Sequence, residues 1–309
     1  MKALLEGEQR FWNFVNARQE IWFRRNMGMP KPWTDDPILR KYKFTNVFRE
    51  LDKDTMWCRR NIRTPLDRNR TYDLLLFNVA LFRQTGGTEG WRGIVYDWDW
   101  DRCATLYEDA KARGLKTFTG AYMVTGRFPN ARGLSKVRSL FKYALQPVWD
   151  ARKELVQLCK RERSLEALTT ALAEFQGWGG NRFMAYEVAC DLLHTSLLEG
   201  AVDQHTWANP GPGAQRGLCR IYDSPLTMKR GARSRGYEAS ILEMKSLLEQ
   251  AHSGAVSNEL RFSTGYEFDM RAVEQSLCEF DKYERVRLGE GTTRSLYNGE
   301  ADGTQGKER

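Results

Sequence analysis

The stretch AEFQGWGGNRFMAYEVACDLL, residues 173–193, sets three glycines within four positions between two helical patterns. Before it, Leu165, Leu168, Leu172 and Phe175 step by three and four; after it, Phe183, Ala185, Val188, Ala189, Leu192 and Leu193 do the same. The spacing predicts helix, tight turn, helix. One glycine at positive φ suffices to close a helix, so the surplus needs a second reason. Extra glycines allow a foreign backbone to come close, and the natural visitor at a helix N-terminus is a phosphate. Gly177, Gly179, Gly180 and Asn181 are therefore the expected phosphate-binding residues.

Outward from this hairpin, helical periodicity dominates and period-two alternation is scarce, which predicts an all-α fold. Phe11, Val15 and Trp22 share a face of a first helix over 8–25, and Pro30, Pro32 and Pro37 hold an extended connector after it. LLLFNVALF (74–82) is apolar nearly all round and marks the centre of a bundle. Further helices are expected over 101–113, from Ser135, over 237–251 and over 269–281. DQHTWANPGPGAQRG (203–217) reads as a Pro/Gly loop. Residues 1–288 are expected to form one catalytic unit, in one or two lobes, followed by a polar, disordered tail over 289–309.

Forty-eight Lys and Arg against 40 Asp and Glu give a net charge of +8, which suits a polyanionic partner. RFPNARGLSKVRSLFK (127–142) and MKRGARSRGYE (228–238) are the basic stretches expected to track phosphates. The six cysteines, at 58, 103, 159, 190, 219 and 278, form no CxxC pair and read as buried, reduced thiols. With no signal-like start and no apolar run of spanning length, the expected setting is the cytoplasm, away from membranes. No metal or organic cofactor signature is visible.

The F-x-G-x-G order at 175–179 resembles the helix-hairpin-helix of DNA glycosylases. That resemblance implies a glycosylase-like helical bundle, with Asp203 at the place of the catalytic aspartate and Gln84 filling the gap left by a flipped base. A closer resemblance runs along most of the chain. KPWTDDPILRKYKFTNVFRELD (31–52), NPGPGAQRGL (209–218) and EQSLCEFDKYERVRLGEG (274–291) resemble phage thymine-hypermodification proteins, the α-glutamyl/putrescinyl-thymine pyrophosphorylases and amino acid:DNA transferases. A similar helical domain accompanies 5-hydroxymethyluracil DNA kinases. The resemblance implies displacement of phosphate or pyrophosphate from an activated 5-hydroxymethyluracil in the DNA of an infecting phage. The nucleophile would be an amine, from an amino acid or a polyamine.

On that reading the base is extruded from the helix before it reacts. Asp203 or His205 is the expected proton acceptor for the incoming amine. Arg49, Arg216 and Arg220 are expected to hold the departing phosphate. Asn46 and Gln84 meet the base edge, Trp207 stacks on it, and Glu279 and Lys282 stand as further site residues. The G-x-x-x-x-G-K-[ST] phosphate loop of many kinases does not occur in these 309 residues. No lysine follows the second hairpin glycine, where a glycosylase-lyase carries its Schiff-base nucleophile; Gly180, Asn181 and Arg182 stand there. The alternatives are a monofunctional glycosylase and a non-catalytic DNA-binding partner of a 5-hydroxymethyluracil DNA kinase.

Overall fold

The computed structural model describes residues 4–87, 93–118, 128, 133–222, 236–257, 264–293 and 296–297. The architecture is all-helical, and among the described residues the β contribution is an isolated antiparallel bridge between Tyr42 and Leu296. The chain divides into two compact units: Met1–Lys53 with His205–Arg309, and Asp54–Gln204.

The Asp54–Gln204 unit is built on the helix Tyr72–Thr85, whose residues from Leu75 to Thr85 are all buried. It ends where Gly86 takes a left-handed conformation at φ 70°. Asp99 caps Trp100–Ala112 by accepting from the Arg102 N–H, and Ser135 caps Lys136–Leu140 by accepting from the Arg138 N–H. The two π-helical segments of this unit, Arg59–Arg63 and Phe141–Leu145, each run into a proline, Pro65 and Pro147. Proline has no N–H to give, and the helix widens just before it.

The quoted hairpin joins Leu165–Ala173 to Phe183–Leu193. Its glycines have separate tasks. Gly177 and Gly180 turn the chain at φ 89° and 73°. A Cβ on Gly177 would also lie 2.9 Å from the Ala144 Cβ, so its bareness serves packing. Between them Trp178 is fully buried and its indole N–H donates to the Ala144 carbonyl at 2.8 Å, plugging the turn into the unit. Gly179 and Gly180 are exposed.

The other unit is organised by the helix Met270–Arg287, which runs six residues past the expected end at 281. Phe280 packs edge-on against Phe11 of the helix Glu6–Asn26, and Phe268 lies against Trp12 of the same helix. The expected loop over 203–217 is corrected in its second half, because Pro212–Ile221 is a helix. Pro212 sits in its first turn, where the missing N–H has no partner to lose. Gly213 and Gly217, four residues apart, form a bare strip on one face. A Cβ on Gly217 would come within 2.4 Å of the Leu277 carbonyl oxygen, and one on Gly213 within 2.4 Å of the Cys278 sulfur. The glycines of GPGAQRG thus let two helices touch.

Two further readings change. Cys278 is exposed, while the other five cysteines are buried as expected; all six are free thiols. Of the two basic stretches, 127, 129–132 and 228–235 lie outside the described residues, as do 294–295 and 298–309 of the expected tail. In the described part, Arg138 pairs with Glu108 at 3.0 Å, and Lys142 lies over the Trp100 ring.

Candidate functional site

Within the first unit, FTNVFRELD (44–52) folds back on itself. A single 3-10 turn, Arg49–Leu51, reverses the chain and brings the Asp52 carboxylate to Asn46. The Asn46 backbone N–H and side-chain amide both donate to Asp52 Oδ1, at 3.0 and 2.8 Å. Arg49 donates to Asp52 Oδ2 at 2.6 Å. Arg18, from the first helix, reaches over to donate to Asn46 Oδ1 at 2.8 Å and to the Phe44 carbonyl at 3.2 Å.

The helix Met270–Arg287 forms the other wall. Gln275 donates to Thr45 Oγ1 at 2.9 Å and to the Asn46 carbonyl at 2.6 Å, and Glu279 accepts from the Thr45 N–H at 3.2 Å. Lys282 donates to the Lys43 carbonyl, pairs with Glu279 at 3.1 Å and lies over the Phe44 ring. One turn on, Tyr283 donates to Asp36 Oδ2 at 2.6 Å, and burial together with that carboxylate pushes its hydroxyl above the ordinary value. Four expected site residues, Asn46, Arg49, Glu279 and Lys282, therefore share one surface of one unit.

The chemistry of this cluster centres on Asp52. Burial pushes its carboxyl above the ordinary value, against the pull of Arg49, the Asn46 N–H groups and Arg18. Its side chain is still 19% exposed, so it is not sealed from a ligand. A carboxylate offers about four acceptor positions, and the hydrogen bonds above occupy three. Two guanidinium groups, Arg49 and Arg18, act on the Asp52 carboxylate, which suits an anionic group. A polar, partly buried cluster with a perturbed carboxyl is the pattern expected of a functional site. Asp52 and Arg18 were missed in the sequence. The signal present was Asn46, Arg49 and Asp52 at intervals of three, hidden in the acidic run Glu50, Asp52, Asp54.

The remaining expected residues stand elsewhere. Arg216 and Arg220 donate to opposite oxygens of Asp281, at 2.6 and 2.8 Å, and Arg220 also donates to Glu290 at 2.7 Å. Burial alone would lower the Arg220 guanidinium, but the bonds to Glu290 and Asp281 carry it above its ordinary value. These arginines cross-brace the two helices that the glycines bring together. Trp207 is 5% exposed, set in the core rather than displayed for stacking. His205 is exposed, 3.4 Å from Glu267, and its ring centre lies 6.2 Å from that of His252. These three line a hollow of about 370 Å³ with Lys245 and Leu248. Among the described residues, no three His, Cys, Asp or Glu side chains gather as metal ligands, and no helix is long and apolar enough to cross a membrane.

In the second unit Asp203 acts on a helix start. Its carboxylate accepts from the Leu165 N–H at 2.8 Å, the Glu166 N–H at 2.9 Å and the Ser164 hydroxyl at 2.7 Å. Such a cap meets the positive end of the helix dipole. Asp203→Ala is accordingly expected to cost about 1–2 kcal/mol of stability. Denaturant melts beside activity measurements check this; full stability with lost turnover would give the carboxylate a chemical role instead. Gln84 is 1% exposed, and its amide nitrogen has no hydrogen-bond partner among the described residues. At the hairpin, the Gly179 and Gly180 N–H groups donate to no acceptor among the described residues, and Asn181 beside them is exposed.

With this geometry in hand, comparison with known proteins gives two likenesses. A family model described as the helical domain of 5-hmdU DNA kinase matches residues 6–293. A 5-hmdU DNA kinase of Bacillus phage SP10 is 28% identical over 303 residues, covering 90% of this chain and 45% of the relative. The chain thus spans about half the length of that curated relative. No solved structure matches.

Proposed function

The chain belongs to the family of 5-hmdU DNA kinase helical domains, and from that premise we propose that it acts on 5-hydroxymethyluracil in phage DNA, as the part that grips the strand and handles the modified base. The observation that carries the reading is the cluster of Arg18, Asn46, Arg49 and Asp52, which joins guanidinium groups, an amide and a perturbed carboxyl in one partly open place.

The reaction that fits this set is transfer at the 5-methylene carbon of a phosphorylated 5-hydroxymethyluracil. The C–O bond breaks with its electron pair leaving on phosphate, which Arg49 and Arg18 are suited to receive. A neutral amine nitrogen forms the new C–N bond, and the proton it sheds passes to Asp52. Asn46 orients Asp52 from one side. The exposed Gly179 and Gly180 amides of the second unit supply a sequence-blind phosphate contact, as in a helix-hairpin-helix.

A second reading has its own support. The family takes its name from a kinase, while the phosphate loop G-x-x-x-x-G-K-[ST] is absent from these residues, so that loop is no part of what this chain shares with its relative. On this reading the domain presents 5-hydroxymethyluracil to a kinase and does no chemistry itself. The two readings part in one experiment. DNA carrying phosphorylated 5-hydroxymethyluracil is incubated with the protein and single amines, glycine, glutamate and putrescine among them, and its nucleosides are analysed by mass spectrometry. An amine adduct that depends on the protein is the expected result. Binding of the modified DNA without any adduct would remove the transferase reading and leave the presenting domain.

A further inference from the structure

The last residues of the first helix and the connector after it, residues 24–43, have a surface that the base chemistry does not use. It carries Arg24, Arg25, Lys31, Arg40, Lys41 and Lys43 against Asp35 and Asp36. Asp36 is committed within the unit, capping Pro37–Lys41 through the Ile38 and Leu39 N–H groups and accepting from Tyr283. Lys31, Arg40, Lys41 and Lys43 are all exposed, and none lies within ion-pair distance of a carboxylate among the described residues. Arg24, by contrast, is paired with Glu20 at 2.8 Å.

The same segment displays apolar and aromatic surface. Met27 and Met29 are 61% and 46% exposed. Trp33 is partly exposed and held in place, since its indole N–H donates to the Met29 carbonyl at 2.7 Å and the Lys31 ammonium lies 5.1 Å from its ring centre. Exposed cations without counter-charges, interleaved with a fixed aromatic ring, match a strand that has phosphates along its edge and bases to stack. A run of carboxylates would answer the cations but give the indole nothing to stack on, whereas a nucleic-acid strand answers both. The chain leads directly from Lys43 into FTNVFRELD.

We propose that residues 27–43 form a DNA-strand arm, in which an unstacked base lies against Trp33, Met27 and Met29 while Lys31, Arg40, Lys41 and Lys43 neutralise neighbouring phosphates. The inference rests on DNA being the partner in the function proposed above, and it assigns the surface that takes the strand beside the modified base. The arm reads no sequence, because stacking and phosphate contacts are open to every base.

The test uses the full chain and fluorescein-labelled thymidine oligonucleotides, single-stranded and duplex, across a salt series, with heparin as a polyanion that has no bases. Changing the four cations to Gln should reduce the slope of log affinity against log salt on single-stranded DNA by about 3. Trp33→Ala should weaken single-stranded DNA binding about tenfold, Trp33→Phe should recover most of it, and neither should alter heparin binding. The duplex should suffer less from Trp33→Ala, since its bases are already stacked. Circular dichroism and melting temperature, expected to be unchanged, show that the variants fold. Wild-type affinity and slope in both variants would overturn the arm while leaving the function reading in place. Equal losses on heparin and DNA from Trp33→Ala would also overturn it. A wild-type protein that binds no oligonucleotide would bring down both.

Discussion

Asp52→Asn is expected to slow conversion of phosphorylated 5-hydroxymethyluracil in DNA by about 10²- to 10⁴-fold, the usual cost of losing a general base, while DNA affinity stays within about threefold of wild type. The amide keeps the size of the carboxylate and one acceptor oxygen for the two Asn46 donors, but it cannot take a proton from an amine. The pH profile gives a second readout. Burial holds the Asp52 carboxyl above the ordinary 3.8, and a base works only when deprotonated. Wild-type turnover should therefore decline, as pH falls, at a higher pH than an unperturbed carboxylate would dictate. Stability runs the other way. A carboxyl whose folded value is raised contributes stability that is present below the unfolded value and lost as pH rises through the folded one. The neutral-pH protein thus carries an ionisation cost at Asp52 that Asn removes, and the variant's stability should depend less on pH across that window. Single-turnover product analysis, with denaturant melts from about pH 4 to 7, covers both. A variant that turns over at the wild-type rate would remove Asp52 from the chemistry.

The parts of this molecule that were legible in the sequence are those set by local pattern. LLLFNVALF is apolar nearly all round and proves to be the buried centre of its unit; the leucine steps before Gly177 and the apolar steps after Arg182 are the helices they suggest. The misread parts depend on neighbours far along the chain. GPGAQRG looks like a loop because glycine and proline discourage helices in isolation. Its helix is favoured instead by close contact with Leu277 and Cys278, some sixty residues later. Asp203 likewise has partners that local pattern does not show, since its carboxylate accepts from the start of a helix that begins 38 residues earlier, at Leu165. Asp52 was hidden for the opposite reason. Its partners are local, but nothing in an acidic run tells which carboxylate a 3-10 turn will fold inward. The division into units was also out of reach, since the chain leaves the first unit after Lys53 and returns to it at His205 without any linker-like composition.

Arg83→Leu is expected to be the most damaging substitution for stability, lowering it by about 3–5 kcal/mol. Arg83 is 3% exposed and forks onto Asp191, Nε to Oδ2 and Nη2 to Oδ1, each at 2.6 Å, while its Nη1 stands 3.0 Å from Glu187. Asp191 is wholly buried, and Arg63 donates to its backbone carbonyl at 2.8 Å with the same nitrogen 3.9 Å from Oδ1. Among the described residues Arg83 and Arg63 thus both meet Asp191 in the interior, and Arg83 meets Glu187 as well. Taking Arg83 away removes the guanidinium that meets both oxygens of Asp191 and one of Glu187, so buried negative charge loses its nearest compensation. The cost is that of an uncompensated charge, not of a lost hydrogen bond. The double variant is the stricter case. Arg83→Leu with Asp191→Leu removes one charge of each sign, so it should recover most of the loss, as replaced buried pairs commonly do. Hydrogen exchange of the helices Tyr72–Thr85 and Phe183–Leu193 reads the stability of this unit specifically, where a melt of the whole chain blends two units. If the single variant exchanges like wild type, or the double variant is as unstable as the single, the pairing of charges is not what holds this interior together.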